Sequence, residues 1–512
     1  MKKINPATGY EQPTAAQRIA AQRTAAQRTA AQRIAARLLP TRRLVNARPT
    51  AYAAMAILAT FVTACNVLDQ TPQAEVATEI AVTNQKGATA ALAGLYNQLQ
   101  DGNYYGRNLQ IIGDVASDIS QSVGTWDFYR EMDTYVTAPA NRENAALWTR
   151  AYRAVNIANT LIAQVPTLTN VSEATKNSFL GQAHFIRGLA FFDLNRVYGG
   201  VPGVVGALGA PLVTTPSTQV DESLFPSRPT LQAAYDQVES DLLKALELLP
   251  ESHASDITTR AQAVKGTARA LLSRLYLYEN KPAEVIQYAN LVINDSKYAL
   301  LAGYAGIFSG KFTTESVFEL NFGSTDQSGM RNWYFPSSLG GRGDIAIHES
   351  FYQELVSNAK DARGKLVARD NTVGVYYSTK YQKAGNVDNA HLIRIAEIYL
   401  NRAEAKAQTD DIAGAMADMN KVRNRAGLDN ATATTKQQAL EAIWQERKLE
   451  LAFEGHRFFD LVRTNQALTK LVQVARKNGP PVTLAVGDRQ VFPIPLADMD
   501  ANKNLVQNEA YK

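Results

Sequence analysis

Apolar residues recur at helical spacing through most of the chain beyond residue 80, and the helices they mark come in close pairs. Leu231, Ala234, Tyr235, Val238, Leu242, Ala245 and Leu249 follow the i, i+3, i+4, i+7 pattern, and Pro250 closes the run. Leu392, Ile395, Ala396, Tyr399, Ala403 and Ala407 repeat it. The same reasoning predicts helices over about 84–99, 141–164, 173–197, 260–279, 282–294, 391–407, 411–425 and 436–454. Gly427, just after Asn424-Arg425-Ala426, suits a helix stop. Helix 260–279 pairs with 282–294 around Asn280-Lys281-Pro282, and 391–407 pairs with 411–425 through Thr409-Asp410. Ala263, Gly266 and Ala270 let helix backbones come close, and Tyr276 and Tyr278 fill the gaps. This predicts a mainly α fold of tetratricopeptide-like helix pairs, although no clean 34-residue period is present. The long irregular stretches 101–140, 198–228, 297–390 and 464–512 are expected to form the ligand-binding face, because long ordered loops commonly carry binding.

The first 64 residues are of another kind. From Thr14 to Ala36 a five-residue unit of the form Thr/Ile-Ala-Ala-Gln-Arg repeats. Arginines five residues apart wind around a helix and form no single basic face, so the segment reads as a low-complexity leader. An Arg-rich, acid-poor segment also suits a transit peptide, but the chain that follows argues otherwise. Arg42, Arg43 and Arg48 precede the apolar run from Ala51 to Val62, and the small residues Thr63 and Ala64 then lead to Cys65. Positive residues, about a dozen apolar ones and small residues before a cut are the plan of a secretory signal. The run is too short to span a bilayer comfortably.

Val62-Thr63-Ala64-Cys65 resembles a bacterial lipobox. That resemblance implies cleavage before Cys65 and acylation of its sulfur, with several acyl chains holding the protein to a membrane. A small cysteine in a core helix is the alternative. The expected organisation is a leader and signal peptide over 1–64, a lipidated tether over 65–80 and an α-helical body over 81–512.

Charge follows the same division. Residues 1–64 hold ten of the 53 Lys and Arg but only one of the 48 acids, Glu11. The net charge of +5 therefore comes from the leader, and the mature chain is mildly acidic. A nucleic-acid role loses its electrostatic support. One cysteine excludes a disulfide framework and any multi-cysteine metal site, and five scattered histidines without a His-Glu-x-x-His motif argue against a zinc centre. No cofactor or metal is expected. No Gly-rich phosphate loop or nucleophile elbow is present in the sequence.

Glu446-Arg447, Glu450-Leu451-Ala452, Glu454-Gly455-His456-Arg457 and Asp460-Leu461-Val462-Arg463 resemble the signature of the SusD/RagB family. So do Ile393 to Leu400 with Ala403-Glu404-Ala405, and Val422-Arg423 with Arg425-Ala426-Gly427-Leu428. Phe185 to Ala190 with Tyr198-Gly199 and Val201-Pro202, the set Trp148, Tyr152, Val155-Asn156 and Asn159, and Phe492-Pro493-Ile494-Pro495 with Asn508 and Tyr511 agree in order. The likeness runs from Cys65 to Lys512, and the arginine-repeat leader has no counterpart in it. These are outer-membrane nutrient-binding lipoproteins of Bacteroidetes. The resemblance implies a SusD-like fold and a lipid-anchored, surface-facing protein. It also implies an oligosaccharide or similar nutrient as ligand, and a SusC-like TonB-dependent transporter as partner.

Glu446, Glu450 and Glu454 stand at i, i+4, i+8, on one helix face. Such a stripe can act as acid and base. It can also be a partly buried ion-pair network, which is the commoner case and our reading. Asp361 with Arg363 is likewise read as structural, and Trp148 with Tyr152 as core.

Loop aromatics are the better ligand candidates, because sugar rings present C–H faces that stack on indole and phenol. One cluster is Tyr104-Tyr105 with Trp126-Asp127-Phe128-Tyr129, and the other is Asn332-Trp333-Tyr334-Phe335. Trp126 and Trp333 lead, with Tyr334 and Tyr105 beside them. A cap on the core beneath a loop is the alternative for each tryptophan. The expected activity is binding without catalysis. An α-helical glycoside hydrolase and a helical-repeat scaffold lipoprotein are the competing readings.

Overall fold

The computed structural model describes residues 82–217, 225–477 and 479–512. The leader, the signal segment, Cys65 and the tether lie outside the described residues. None of the described helices is long and apolar enough to cross a membrane.

The first helix among the described residues, α1 (Gln85–Gln100), starts at Asn84, whose side chain accepts from Gly87 N. After it come the short α2 (Asn108–Val115), β1 (Ser120–Ser122) and α3 (Asp127–Asp133). Two long helices, α4 (Arg142–Gln164) and α5 (Glu173–Leu194), are capped by Asn141 and Ser172. α6 (Leu231–Leu248) is capped by Thr230. α7 (Asp256–Ala261), α8 (Lys265–Tyr278) and α9 (Pro282–Ile293) follow. Pro282 opens α9 at its first turn, where its missing N–H costs nothing. The next segment holds β2 (Ser316–Leu320), α10 (Met330–Tyr334), β3 (Ile345–Ile347), α11 (Glu349–Val356), β4 (Val367–Asp370), β5 (Val375–Ser378) and β6 (Ala390–Arg394). α12 (Ile395–Gln408), α13 (Ile412–Arg425), α14 (Lys436–Glu450) and α15 (Arg457–Arg463) then lead to a hairpin of β7 (Val474–Arg476) and β8 (Gly479–Val482).

The long helices pack in a row. α1 lies on α4, α4 on α5, α5 on α6, α6 on α8, α8 on α9, α9 on α12, and α12 on α13 and α14. Each therefore buries its apolar stripe against its neighbours along the row, in the manner of a helical-repeat stack. The expected mainly α fold of helix pairs is the observed one. α13 ends in a Schellman turn, with Gly427 N donating to Asn424 O at 2.9 Å and Leu428 N to Arg423 O at 3.2 Å. Gly427 has φ +92, and a Cβ there would meet Lys360 O at 2.5 Å, so glycine is required.

Three expectations change at their ends. The helix placed over 260–279 is two helices, broken at Gln262-Ala263-Val264, where Ala263 N turns to the Tyr96 hydroxyl. The first residues of 391–407 are extended: β6 pairs with β2, with Glu319 opposite His391, before α12 begins at Ile395. α14 stops at Glu450, so Glu454 lies beyond the helix, in a turn where Phe453 and Gly455 have positive φ.

Stretches 101–140 and 297–390 are less irregular than expected. They contribute one antiparallel sheet of order β1-β3-β5-β4, with Ser120 opposite Ile347 and Ala368 opposite Tyr377. That pairing brings α3 and α10 to the same place.

Candidate functional site

Trp126 precedes α3 in an extended conformation and is 46% exposed. Its neighbour Asp127 sits in the first turn, where a carboxylate suits the helix dipole. Across from it, α10 presents Trp333, 6% exposed. The two segments, some two hundred residues apart in sequence, form one aromatic cluster. Trp126 and Phe128 are 5.5 Å apart, Phe128 and Trp333 6.1 Å, and Tyr129 meets Trp333 edge-on at 5.1 Å.

A guanidinium joins them. Cζ of Arg342 lies 4.8 Å from the ring centroids of both Trp126 and Trp333. Arg342 also pairs with Asp344, and its backbone N donates to Asn332 O at 2.6 Å. The loop that carries it folds back on itself at Gly341, where a Cβ would meet Phe335 O at 2.0 Å. Arg107 stands 4.8 Å from the Trp333 centroid and pairs with buried Glu143. Asn108 fixes the base of the cluster: its amide donates to Glu143 O, and its oxygen accepts from the Tyr129 hydroxyl at 2.9 Å. The result is an exposed indole on a rigid support, with charged groups at its edge. Such a surface can stack a flat apolar face and bind hydroxyls around it.

Tyr105 and Tyr334 do not join it. The hydroxyls of Tyr104 and Tyr105 both donate to Asp193 Oδ2, at 2.6 and 2.7 Å, under the end of α1. Tyr334 points inward to Asp114 and packs on Tyr381 and Phe453. Burial pushes all three phenols well above their ordinary range. Neither Tyr105 nor Tyr334 offers a ring face to solvent, so the site proposed below omits both. The sequence alone does not single out Arg342 and Arg107 as partners, whereas Phe128 stands in the first aromatic cluster. Glycines at 340, 341 and 343 around Arg342 were the only local signal.

The carboxylate stripe is closed to any substrate. Arg394 donates to Glu454 at 2.7 and 2.9 Å, to Glu450 at 2.8 Å and to Glu315 at 2.9 Å. Arg425 joins Glu315 to Glu450, Arg363 joins Asp361 to Glu446, and Lys380 holds Glu454 at 2.9 Å. All of these side chains are 6% exposed or less. Every partner of the stripe is a cation of the fold, which is the arrangement of a structural network.

Glu454 of this network and other buried carboxyls predict a pH profile. Burial opposes the charge on Glu397 and Asp118, but Arg274 and Arg457 outweigh it and hold each carboxyl at about 2. Arg394 with Lys380 depresses Glu454, and Arg447 with Arg463 depresses Asp460, both against burial. Stability from these groups is full above about pH 4 and is lost as pH falls through their folded values. Asp114 and Asp133 have the opposite sign, because burial pushes both up to about 7. The folded state keeps protons there that the unfolded chain releases, so stability is lost as pH rises from about 4 through 7. Thermal melts from pH 2 to pH 9 are expected to peak near pH 5. A melting temperature still rising between pH 6 and pH 8 would contradict the assignment.

Two family models match the sequence: the SusD family over residues 348–511, and "Starch-binding associating with outer membrane" over residues 66–277. The chain belongs to the SusD/RagB family. SusD-like protein P2 of Formosa agariphila is 26% identical, over 87% of this chain and 96% of its own. A SusD superfamily protein of Bacteroides thetaiotaomicron has a solved structure that superposes with a TM-score of 0.74 at 26% identity, covering 83% of this chain and 99% of that one. The starch-binding protein SusD of the same organism is 37% identical over 123 residues, 24% of this chain and 21% of its own. The helix row is thus the SusD-like scaffold, and the Trp126–Arg342–Trp333 stack is carried on the long stretches between its helices.

Proposed function

We propose that this SusD/RagB member is an outer-membrane lipoprotein that captures an oligosaccharide on the Trp126 face. It passes the sugar to a SusC-like TonB-dependent transporter. The observation that carries the reading is the exposed Trp126 indole, backed by Arg342 and Trp333, on the scaffold of a family that includes a starch-binding protein. The outer-membrane location is supported by the family description, and the lipid anchor by the residues that lead to Cys65. The transporter partnership rests on family membership. Binding without catalysis is favoured because the most prominent acids, Glu446, Glu450 and Glu454, are consumed by arginines and a lysine.

Calorimetry with maltooligosaccharides and laminarioligosaccharides tests it. Trp126→Ala is expected to weaken binding about tenfold or more while melting is unchanged, since a stacked aromatic contributes about 1–1.5 kcal/mol beyond burial. Trp333→Ala removes a buried ring and is expected to cost about 3–5 kcal/mol of stability as well. Sugar affinity untouched by Trp126→Ala would move the site elsewhere.

A further inference from the structure

α3 begins just after Trp126 and continues past the stack. Its Arg130 and Asp133, three residues apart, lie along one side of the helix. That side, with the loop Ser122–Thr125, borders a cavity of about 460 Å³ whose far wall is the β7–β8 hairpin. The volume falls within the range of about 300–1,000 Å³ usual for small-molecule sites.

Its lining has two characters. Val123, Pro480 and Val482 are apolar, while Ser122, Thr125 and Arg130 bring hydroxyls and a guanidinium. A sugar ring needs both, because it has C–H faces and a rim of hydroxyls. Arg130 and Thr125 are exposed, and Arg130 also pairs with exposed Asp127, one turn before it on α3.

The hairpin is held as a fixed wall. Arg476 Nε lies 3.0 Å from Asp133 Oδ1, and its Nη2 donates to Asp133 O at 2.6 Å. Nη1 reaches His348 Nε2 at 3.0 Å, and Lys477 N donates to Gln121 Oε1 at 2.6 Å. Both members of the Arg476–Asp133 pair are buried, with side chains 4% and 2% exposed. A cavity held open in this way spares a ligand the cost of ordering its own wall.

We infer that this cavity is a second sugar subsite, which takes the ring next to the one stacked on Trp126. It rests on the proposal that Trp126 binds sugar. The subsite makes the protein select chains over single units and sets how the chain bends where it leaves the indole.

The test is titration of the full-length chain with glucose and with maltooligosaccharides and laminarioligosaccharides up to the hexasaccharide. Two variants are used, Thr125→Phe, which fills the mouth, and Arg130→Ala, which removes its donors. Both positions are exposed, and melting temperatures check that folding is intact. The expected result is a wild-type affinity that climbs with chain length. In both variants the hexasaccharide loses about tenfold, the weight of one or two hydrogen bonds, while glucose, whose single ring sits on Trp126, is unaffected. Equal length dependence in wild type and variants overturns the subsite and leaves the Trp126 site standing. Equal loss for glucose and hexasaccharide also overturns it, because the cavity would then be part of the primary site. If the wild type binds no sugar in either series, the Trp126 reading falls and the subsite falls with it.

Discussion

Arg394→Ala is expected to cost about 3–5 kcal/mol of folding stability, the penalty for stranding buried charges. Arg394 is 1% exposed and satisfies three glutamates from two distant parts of the chain: Glu315 before β2, and Glu450 at the end of α14 with Glu454 in the turn beyond it. Removing it leaves Arg425 to serve Glu315 and Glu450, and Lys380 to serve Glu454. One cation is then missing from a dry site. Arg394→Lys keeps the charge but loses the fork that grips both oxygens of Glu454, so it should fall between wild type and alanine. Lys244→Ala, which breaks an exposed pair with Glu247, should barely move the urea midpoint. If Arg394→Ala and Lys244→Ala shift the midpoint alike, the network does not hold the fold.

The second large effect concerns Cys65. Cys65→Ala is expected to abolish membrane attachment and to leave the precursor uncleaved, because only a thiol at that position can accept the lipid. The expectation rests on the sequence alone: basic residues, the apolar run to Val62, then Thr63-Ala64-Cys65. Cells fed an alkynyl palmitate would label the wild type and leave the variant dark, and fractionation would find the variant off the membrane. Equal labelling would end the lipoprotein reading.

Much of the scaffold was legible because helical periodicity is local. α1, α4, α6, α9 and α13 start and stop within a few residues of their expected ends, at caps such as Asn84, Asn141 and Thr230. Distant partners decided the rest. Ala390–Arg394 carries a helix-like pattern, yet β2 claims its backbone hydrogen bonds. Val264 divides a continuous apolar run because Tyr96, far away in sequence, takes the preceding N–H. The glutamate stripe was readable as an ion-pair network, but its cations were not, since Arg363, Arg394 and Arg425 come from separate segments.

The candidate site divides along the same line. The tryptophans stood out by type. Tyr105 and Tyr334 looked equivalent to them, and only Asp193 and Asp114, buried elsewhere in the chain, draw them inward. Arg342 carried no mark beyond its glycines, because a guanidinium between two indoles is a relation in space.

The pairing of β1 with β3 joins Ser120 to Ile347, while α4 and α5 close on each other over a short connection. Local contacts form early and distant ones late. During synthesis the helix row can assemble from its amino-terminal end, but the strand that brings α10 beside α3 cannot dock until most of the chain has emerged. The face where α3 meets α10 therefore matures after the amino-terminal half of the helix row. A product stalled before β3 would carry those helices without that face.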